Sequence, residues 1–574
     1  MSIPDDHSTT QSDVHAHSLS HGRVKTICPF CAVGCSLYLT CSDGIVSGVE
    51  PDFRSPVNEG CLCVKGSHAF EFIYHEDRIR APMVRVGDRF FEVSWEEAYR
   101  FIAEGFSSFN SDEIIVLGSG LCTNEDNYVL MKFAREVFGC TFTSDRRKTR
   151  SFAAQIPFSE ISSASVIISL YENTLEEYPL LGRYIVDAQK HGAAVISADV
   201  RLTLTGRVSD LFLQMYPLQR EDVLRGLVQG DVLFAKRAGV SEDLIQKASD
   251  LIRIGRERGS VLVFGPGSNI PECEGFTFFP TFRECNTHGF LDIYGVPSTV
   301  VRDFSSCHAL YLMGGNPIVS HLGGSGIRKQ LKRFSFVVVQ DLFLTETTKY
   351  ANIVLPAASF AEKDGTFTNM EGRVQQIHAL LGSDALCDAK PDWQIVCELA
   401  QDMGFRDGFA FSSAQEIFEE IAKHVPLYTG MSWEDVGMPG GAFIGGGAAA
   451  STPVFERKSE REPVPKTDGK YPLWLTTGVG IWHTLTRTRT ARSPGLFKEG
   501  GYIMMHVDDA KERAIHQGDL ARVVSRQGQV VCAVRVTREI KKGVTWMPAY
   551  FSKANPQLLD GTYTTVWISR YDEK

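Results

Sequence analysis

No apolar run in this chain of 574 residues approaches the ~18 needed to cross a bilayer as a helix, and the mean hydropathy is −0.09. A membrane-spanning helix is therefore excluded by the sequence. Basic charge is also short: 59 Lys plus Arg stand against 69 Asp plus Glu, a net −10. Such a chain lacks a phosphate-neutralising surface, and nucleic acid is not an expected partner. The first 24 residues contain neither an apolar stretch nor a twin arginine, so the expectation is a cytoplasmic protein opening on a disordered polar tail, residues 1–23. No internal repeat or coiled-coil heptad stands out. What is present is an ordinary globular composition, 43% apolar and 22% charged, at a length for roughly three or four units of ~150 residues.

Cysteine is unevenly spread. Of 14, six (Cys28, Cys31, Cys35, Cys41, Cys61, Cys63) fall in the first 63 residues. A chain this large does not need disulfides to supplement a small core, and short nested spacings favour a metal centre. CPFCAVGC sets Cys28, Cys31 and Cys35 in a C-x2-C-x3-C array, and NEGCLCVKG supplies a remote second loop. Three thiolates on one loop plus a fourth from another suit a cubane iron–sulfur cluster. A tetrahedral zinc site is the competing reading, but it does not need Cys35.

Residues 24–82 carry short alternating segments, SLYLTC and GIVSGVEP, that predict a small sheet. Apolar strands then alternate with amphipathic helices. EIIVLGSG, SVIISLYEN and AAVISADV form one group; SVLVFGPG, HALYLMGGN, FSFVVVQDLF and NIVLPAAS form a second. The pattern predicts two doubly wound α/β domains, one from 111–289 and one from 83–110 with 290–426. A Gly-rich, then charged and Pro-rich stretch predicts a linker at 427–470, and residues 471–574 read as a C-terminal β-barrel with a hairpin turn at RQGQ.

CPFCAVGC, the LCVKG loop and HEDRIRAPMVRVGDRFFEVSWEEAYRFIAEGF resemble the opening of the molybdopterin-dependent oxidoreductases, most of all formate dehydrogenase alpha subunits. The resemblance continues in NEDNYVLMKFAREVFG, MGGNP, YANIVLPAASFAEKDGTFTNMEGRVQ and DDAKERAIHQGDLARVVSRQGQVVCAVRV. It implies a formate dehydrogenase/DMSO reductase-like fold with a [4Fe-4S] domain. The fourth cluster ligand would be Cys63, leaving Cys61 unligated, and Lys65 would lie between cluster and pterin. It also implies a molybdopterin guanine dinucleotide carrying Mo or W. Strand ends and loops must hold so large an anion. The matching positions are Gly314, Gly315 and Asn316 after one strand, then Asp364, Gly365, Thr366 and Asn369 in what reads as one irregular loop. Asn286 and Gly289 match an N-x-x-G turn. His483, Thr484, Thr486, Arg487 and Asn555 match the barrel segments that reach over the pterins.

One stretch departs from the family. Active formate dehydrogenases carry Cys or selenocysteine followed by His where this chain has Ser151 and Phe152 in SDRRKTRSF. A serine alkoxide can ligate molybdenum in some relatives; a phenyl ring cannot exchange a proton. The D-P-R and P-G-T-D patterns appear as Asp199-Val200-Arg201 and as the run from Pro217 to Asp222. Arg302, with Arg147 and Arg150 as alternatives, would position a substrate carboxylate. Two functions follow. One is a subunit passing electrons between a metal-pterin site, acting on formate or CO2, and one cluster, with an iron-sulfur or flavin subunit accepting them. The other is a non-catalytic iron-sulfur electron-transfer or scaffold subunit of a larger redox complex.

Overall fold

The computed structural model describes residues 21–140, 156–218, 220–266, 275–294, 306–320, 324–382, 386–444, 465–480, 500–549, 551, 554–559 and 563–571. The chain begins with an antiparallel meander of β1 (His21–Ile27), β2 (Ser36–Ser42) and β3 (Ile45–Pro51). Strand β1 starts at His21, so the expected tail of residues 1–23 gives way to structure slightly earlier. β2 buries Leu37, Leu39 and Cys41 on one face by simple alternation. The β2–β3 turn uses Asp43 and Gly44, both left-handed, the geometry that matches strand twist in a two-residue hairpin. A single helical turn, α1 (Val64–Ser67), follows the second cysteine loop.

A six-stranded sheet comes next, in the order β5-β4-β14-β13-β12-β6. Its members are β4 (Met83–Val86), β5 (Arg89–Glu92), β6 (Ile114–Leu117), β12 (Ala309–Met313), β13 (Phe336–Asp341) and β14 (Ile353–Pro356). The four strands from β6 to β14 are parallel and nearly wholly buried, as continuous apolar runs require. Two helices of this layer start on capping boxes: Ser94 with Glu97 opens α2 (Trp95–Phe106), and Thr123 with Asp126 opens α3 (Asn124–Glu136). The second sheet is all parallel, in the order β11-β10-β7-β8-β9. It comprises β7 (Val166–Leu170), β8 (Ala194–Asp199), β9 (Leu211–Gln214), β10 (Val261–Pro266) and β11 (Thr277–Thr281).

One strand departs from the domain bounds read from sequence: β6, expected with residues 111–289, pairs with β12. β10, whose apolar run was grouped with the later strands although it lies within 111–289, pairs with β7 and β11. The five-stranded sheet is an insertion: the chain leaves the six-stranded layer after α3 and re-enters it through the helix Thr287–Tyr294, which packs on α3. Local apolar runs carry strand identity but not strand partners, so periodicity could not see this.

The segment expected as an irregular loop is a hairpin, β15 (Gly365–Thr368) paired with β16 (Arg373–Ile377). β17 (Ala442–Phe443) adds to it, preceded by the helix Trp433–Gly437. The first part of the expected linker 427–470 is thus packed structure, because Val436 and Ile444 supply apolar anchors among the glycines. The C-terminal unit is a closed barrel, β18-β22-β19-β21-β20-β23. Its strands are β18 (Leu473–Gly478), β19 (Tyr502–His506), β20 (Leu520–Val524), β21 (Gln529–Thr537), β22 (Val544–Pro548) and β23 (Tyr563–Arg570). Val530, Cys532 and Val534 of β21 point inward in alternation. Among the described residues, no helix is long and apolar enough to cross a membrane.

Candidate cluster and cofactor site

The first cysteine loop is closed by the Cys28 amide donating to the Cys35 carbonyl at 2.9 Å. Gly34 sits in it with φ +76, where an added Cβ would lie 2.7 Å from Asn369 Cβ, so only glycine permits both the turn and the contact. The β15–β16 turn clamps this loop from behind. Met370 N donates to Ala32 O at 2.7 Å, and Asn369 Nδ2 donates to Val33 O at 3.1 Å. Cys63 stands at the N-cap of α1, and Ser67 N returns to its carbonyl at 3.0 Å. Cys28, Cys31, Cys35 and Cys63 wall one cavity together with Phe30, Val33, Leu62, Lys65, Gly66, Pro179 and Leu180. Cys61 lies outside it, exposed, with Arg183 Nη1 3.2 Å from its sulfur.

Burial pushes the thiols of Cys28, Cys31 and Cys35 upward, and the neighbouring cysteines add to it; Lys65 pulls Cys31 back down. Sulfurs buried in this way are held as thiolates where a metal supplies the compensating positive charge. This donor set, all sulfur on two loops around one cavity, fits a cubane. Lys65 is 4% exposed and donates to the Glu177 carbonyl at 3.1 Å, spanning from the cluster wall to the short helix Thr174–Glu177 that follows β7.

Beyond Lys65, the carboxyl ends of the parallel strands hold a concentration of buried polar groups. Among the described residues, Asn173 Nδ2, Thr174 Oγ1 and Ser197 Oγ are buried without a hydrogen-bond partner, beside the buried Glu172 carboxyl and the Thr281 hydroxyl next to it. Groups of this kind call for a ligand, and the crevice at strand carboxyl ends is where open α/β sheets bind dinucleotides. A pterin dinucleotide, rich in donors and acceptors, fits that need. Burial and the nearby Glu177 push Glu172 up to about 8, with Arg283 and Arg220 opposing. These residues escaped the sequence reading; the signal was there in the polar run YENT directly after the wholly apolar β7. Asp199, raised to about 6 by burial, accepts from the Arg201 amide, and the Arg201 guanidinium stacks 4.3 Å over Trp546 of the barrel.

The residues chosen from sequence have varied placements. Gly314 and Gly315 follow β12, and Asn316 is held by Glu346 and Thr347 at 2.8 and 2.7 Å. Asn555 reaches the same neighbourhood, donating to Ile318 O at 3.2 Å. Asp364 is exposed and caps Ala379 N at 2.9 Å. Gly365 lies against Thr123 and Glu125 of the α3 N-terminus. Thr366 gives both its amide and its hydroxyl to Glu125 at 2.7 Å. Asn369 is 0% exposed, and its side chain serves the turn and the cysteine loop. Asn286 bridges Cys122 O and Thr368 N, beside Gly289. Ser151, Phe152, Arg147, Arg150, Arg302, His483, Thr484, Thr486 and Arg487 lie outside the described residues. Cys122, Asp126 and Asp392 approach one another as metal ligands would. Lys363 Nζ occupies the gap between the two carboxylates, at 2.6 and 2.5 Å, and its ammonium supplies the cation.

A four-thiol cluster pocket, a polar crevice at parallel strand ends and a barrel joined to that sheet define a cofactor-bearing redox subunit. Residues 22–75 match the Molybdopterin oxidoreductase Fe4S4 domain, 78–217 and 289–402 the Molybdopterin oxidoreductase family, and 473–565 the Molydopterin dinucleotide binding domain. The chain belongs to the molybdopterin oxidoreductase family. It is 32% identical to the F420-dependent formate dehydrogenase subunit alpha of Methanocaldococcus jannaschii, over 94% of this chain and 96% of that one. It is 24% identical to formate dehydrogenase H of Escherichia coli, over 92% and 91%. In fold it is similar to acetylene hydratase from Pelobacter acetylenicus, with TM-score 0.68 and 14% identity over 95% of this chain and all of that one. Its family cofactors are a [4Fe-4S] cluster and molybdopterin guanine dinucleotide, and the architecture is that of a formate dehydrogenase-like subunit.

Proposed function

We propose that this chain oxidises formate, or reduces CO2, as the alpha subunit of a cytoplasmic formate dehydrogenase, and exchanges electrons with an iron-sulfur or flavin subunit. The observation that carries this reading is the adjacency of cluster pocket and cofactor crevice across Lys65. Cys28, Cys31, Cys35 and Cys63 would hold the cluster. The pterin would be held along the crevice by Asn173, Asp199 and Arg201, with Gly314, Gly315, Asn316, Asp364, His483, Thr484, Thr486, Arg487 and Asn555 in its surrounding loops. When bound, the metal-pterin supplies two-electron chemistry and the cluster single-electron storage. Lys65 keeps a positive charge between the two anionic groups and excludes water there, while Arg302 would orient the substrate carboxylate. By the sequence resemblance alone, Ser151 would fall at the metal-ligand position. Formate-dependent viologen reduction by anaerobically prepared, metal-loaded protein tests the assignment; fully loaded protein with no turnover refutes it.

Ser151 and Phe152, in place of a sulfur or selenium ligand and a histidine, favour a second reading: a non-catalytic electron-transfer or scaffold subunit. That reading predicts a full complement of cluster iron with no formate-dependent turnover.

A further inference from the structure

Between Asn286 and Gly289 lies a histidine with no part in the cluster cavity or the crevice. His288 sits on the first turn of the helix Thr287–Tyr294, 2% exposed, with the Phe282 ring 5.9 Å away, centroid to centroid. Its Nδ1 is 2.9 Å from Asn369 O. A carbonyl only accepts, so Nδ1 carries the hydrogen and the neutral ring keeps a bare Nε2. That nitrogen is buried without a hydrogen-bond partner among the described residues, and Asp292 Oδ1, one helical turn on, stands 3.8 Å from it.

The bond to Asn369 leads to the cluster loop. The peptide joining Asn369 to Met370 has His288 on its carbonyl and Ala32 O, 2.7 Å away, on its N–H. Ala32 follows Cys31, so one peptide group lies between the imidazole and the backbone that carries Cys31 and Cys35. Hydrogen bonds in a chain polarise one another. A positive ring strengthens the donation to Asn369 O, hence that of Met370 N, and withdraws electron density from the Ala32 carbonyl.

The other charged and titratable groups around this pair are already engaged. Asp292, its side chain 2% exposed, is pushed up to about 6 by burial with His288 opposing, and its Oδ2 accepts from the Tyr428 hydroxyl at 3.4 Å. Burial holds Tyr428 well above the ordinary phenol, so it stays neutral. On the hairpin, Glu371 pairs with Arg373 at 2.7 Å. Arg283, beside Phe282, turns to Glu177. From α3, the uncharged Asn124 meets Gly289, Glu125 is held by Thr366, and Asp126 pairs with Lys363.

We propose that His288 and Asp292 form a proton site coupled to the electron on the cluster. This rests on the cluster reading above. Reduction adds one negative charge to the cluster. The electron comes from the donor and the proton from solvent; the proton bonds to Nε2, facing Asp292 Oδ1, and no bond breaks. Reoxidation releases both. His288 is thus a positioning residue that acts through the Asn369–Met370 peptide. Because the reduced cluster favours the protonated pair, the reduction potential falls as pH rises through the range in which imidazoles titrate.

The test is a redox titration of the cluster-loaded holoprotein with dithionite and mediators, at several values from about pH 5 to about pH 9. The electron paramagnetic resonance signal of the reduced cluster reads the potential. In the wild type it should fall with pH, approaching one proton per electron, about a tenfold change in the reduction equilibrium per pH unit. His288→Gln still donates to Asn369 O but takes up no proton; it should keep the iron content and visible spectrum and lose the pH dependence. Asp292→Asn still accepts from Tyr428 but removes the counter-charge, and should move the dependence to lower pH. A flat wild-type potential would overturn the proposal. So would a His288→Gln slope equal to that of the wild type or, if that variant loses iron, an Asp292→Asn profile superimposable on the wild type's. Failure of the cluster reading shows separately, as wild-type protein purified without iron.

Discussion

At the scale of single residues, the structure separates two thiols that lie two positions apart. Cys63 walls the cavity and Cys61 faces Arg183 at the surface. Cys63→Ser should therefore abolish the broad visible absorbance of the cluster, while Cys61→Ser should retain it with unchanged iron content; ultraviolet–visible spectra with iron analysis read both. Glu125 is a different case. It is fully buried under Thr366, and burial pushes it up to about 8. An unfolded glutamate titrates near 4.5. Stability from this group is therefore complete below that value, falls as pH rises toward 8, and is flat above. Glu125→Gln should remove about 1.4 kcal/mol per pH unit of slope across that window, measured by denaturant melts at several pH values. An unchanged slope would show that the carboxyl is not held protonated.

Elements explain why these residues are where they are. The hairpin β15–β16 is the back wall of the cluster loop, and Asn369 at its turn bonds Val33 O, Glu371 N and Arg373 N. Asn369→Ala leaves buried backbone groups unpaired, at roughly 1–3 kcal/mol each. It should speed cluster loss to a chelator several-fold while the fold persists by circular dichroism. A second element contact is equally specific. The helix Glu242–Arg258 crosses β7 at Gly255, where an added Cβ would lie 2.1 Å from Val166 Cγ2. Gly255→Val should cost on the order of 1–3 kcal/mol through overpacking, read as a lowered denaturation midpoint. The cysteine loops, the strands of both α/β sheets and the barrel were legible in sequence because spacing and apolar runs are local signals. The hairpin was not, because its glycines and polar residues read as loop; Thr366, Thr368 and Asn369 are wholly buried only because α3 and Asn286 supply partners from far along the chain. The Glu172 crevice was missed for the same reason: nothing local marks a polar side chain as buried.

Across the whole molecule, the parts converge on one line. The cysteine cap shares its core with the five-stranded sheet, since Phe30, Phe72, Ile167 and Phe264 belong to one apolar cluster. The barrel is tied to that sheet by Arg201 over Trp546 and by Leu202 N donating to Glu539 O at 2.6 Å. Cluster pocket, Lys65 and crevice are thereby fixed relative to one another without a separate domain interface. Because the five-stranded sheet is inserted between β6 and β12 of the six-stranded one, the crevice belongs to an inserted unit. The central claim is that this frame holds both redox groups. Metal analysis of anaerobically purified protein tests it most directly: the account predicts about four iron and about one Mo or W per chain. Colourless protein containing zinc and no iron, Mo or W would contradict it.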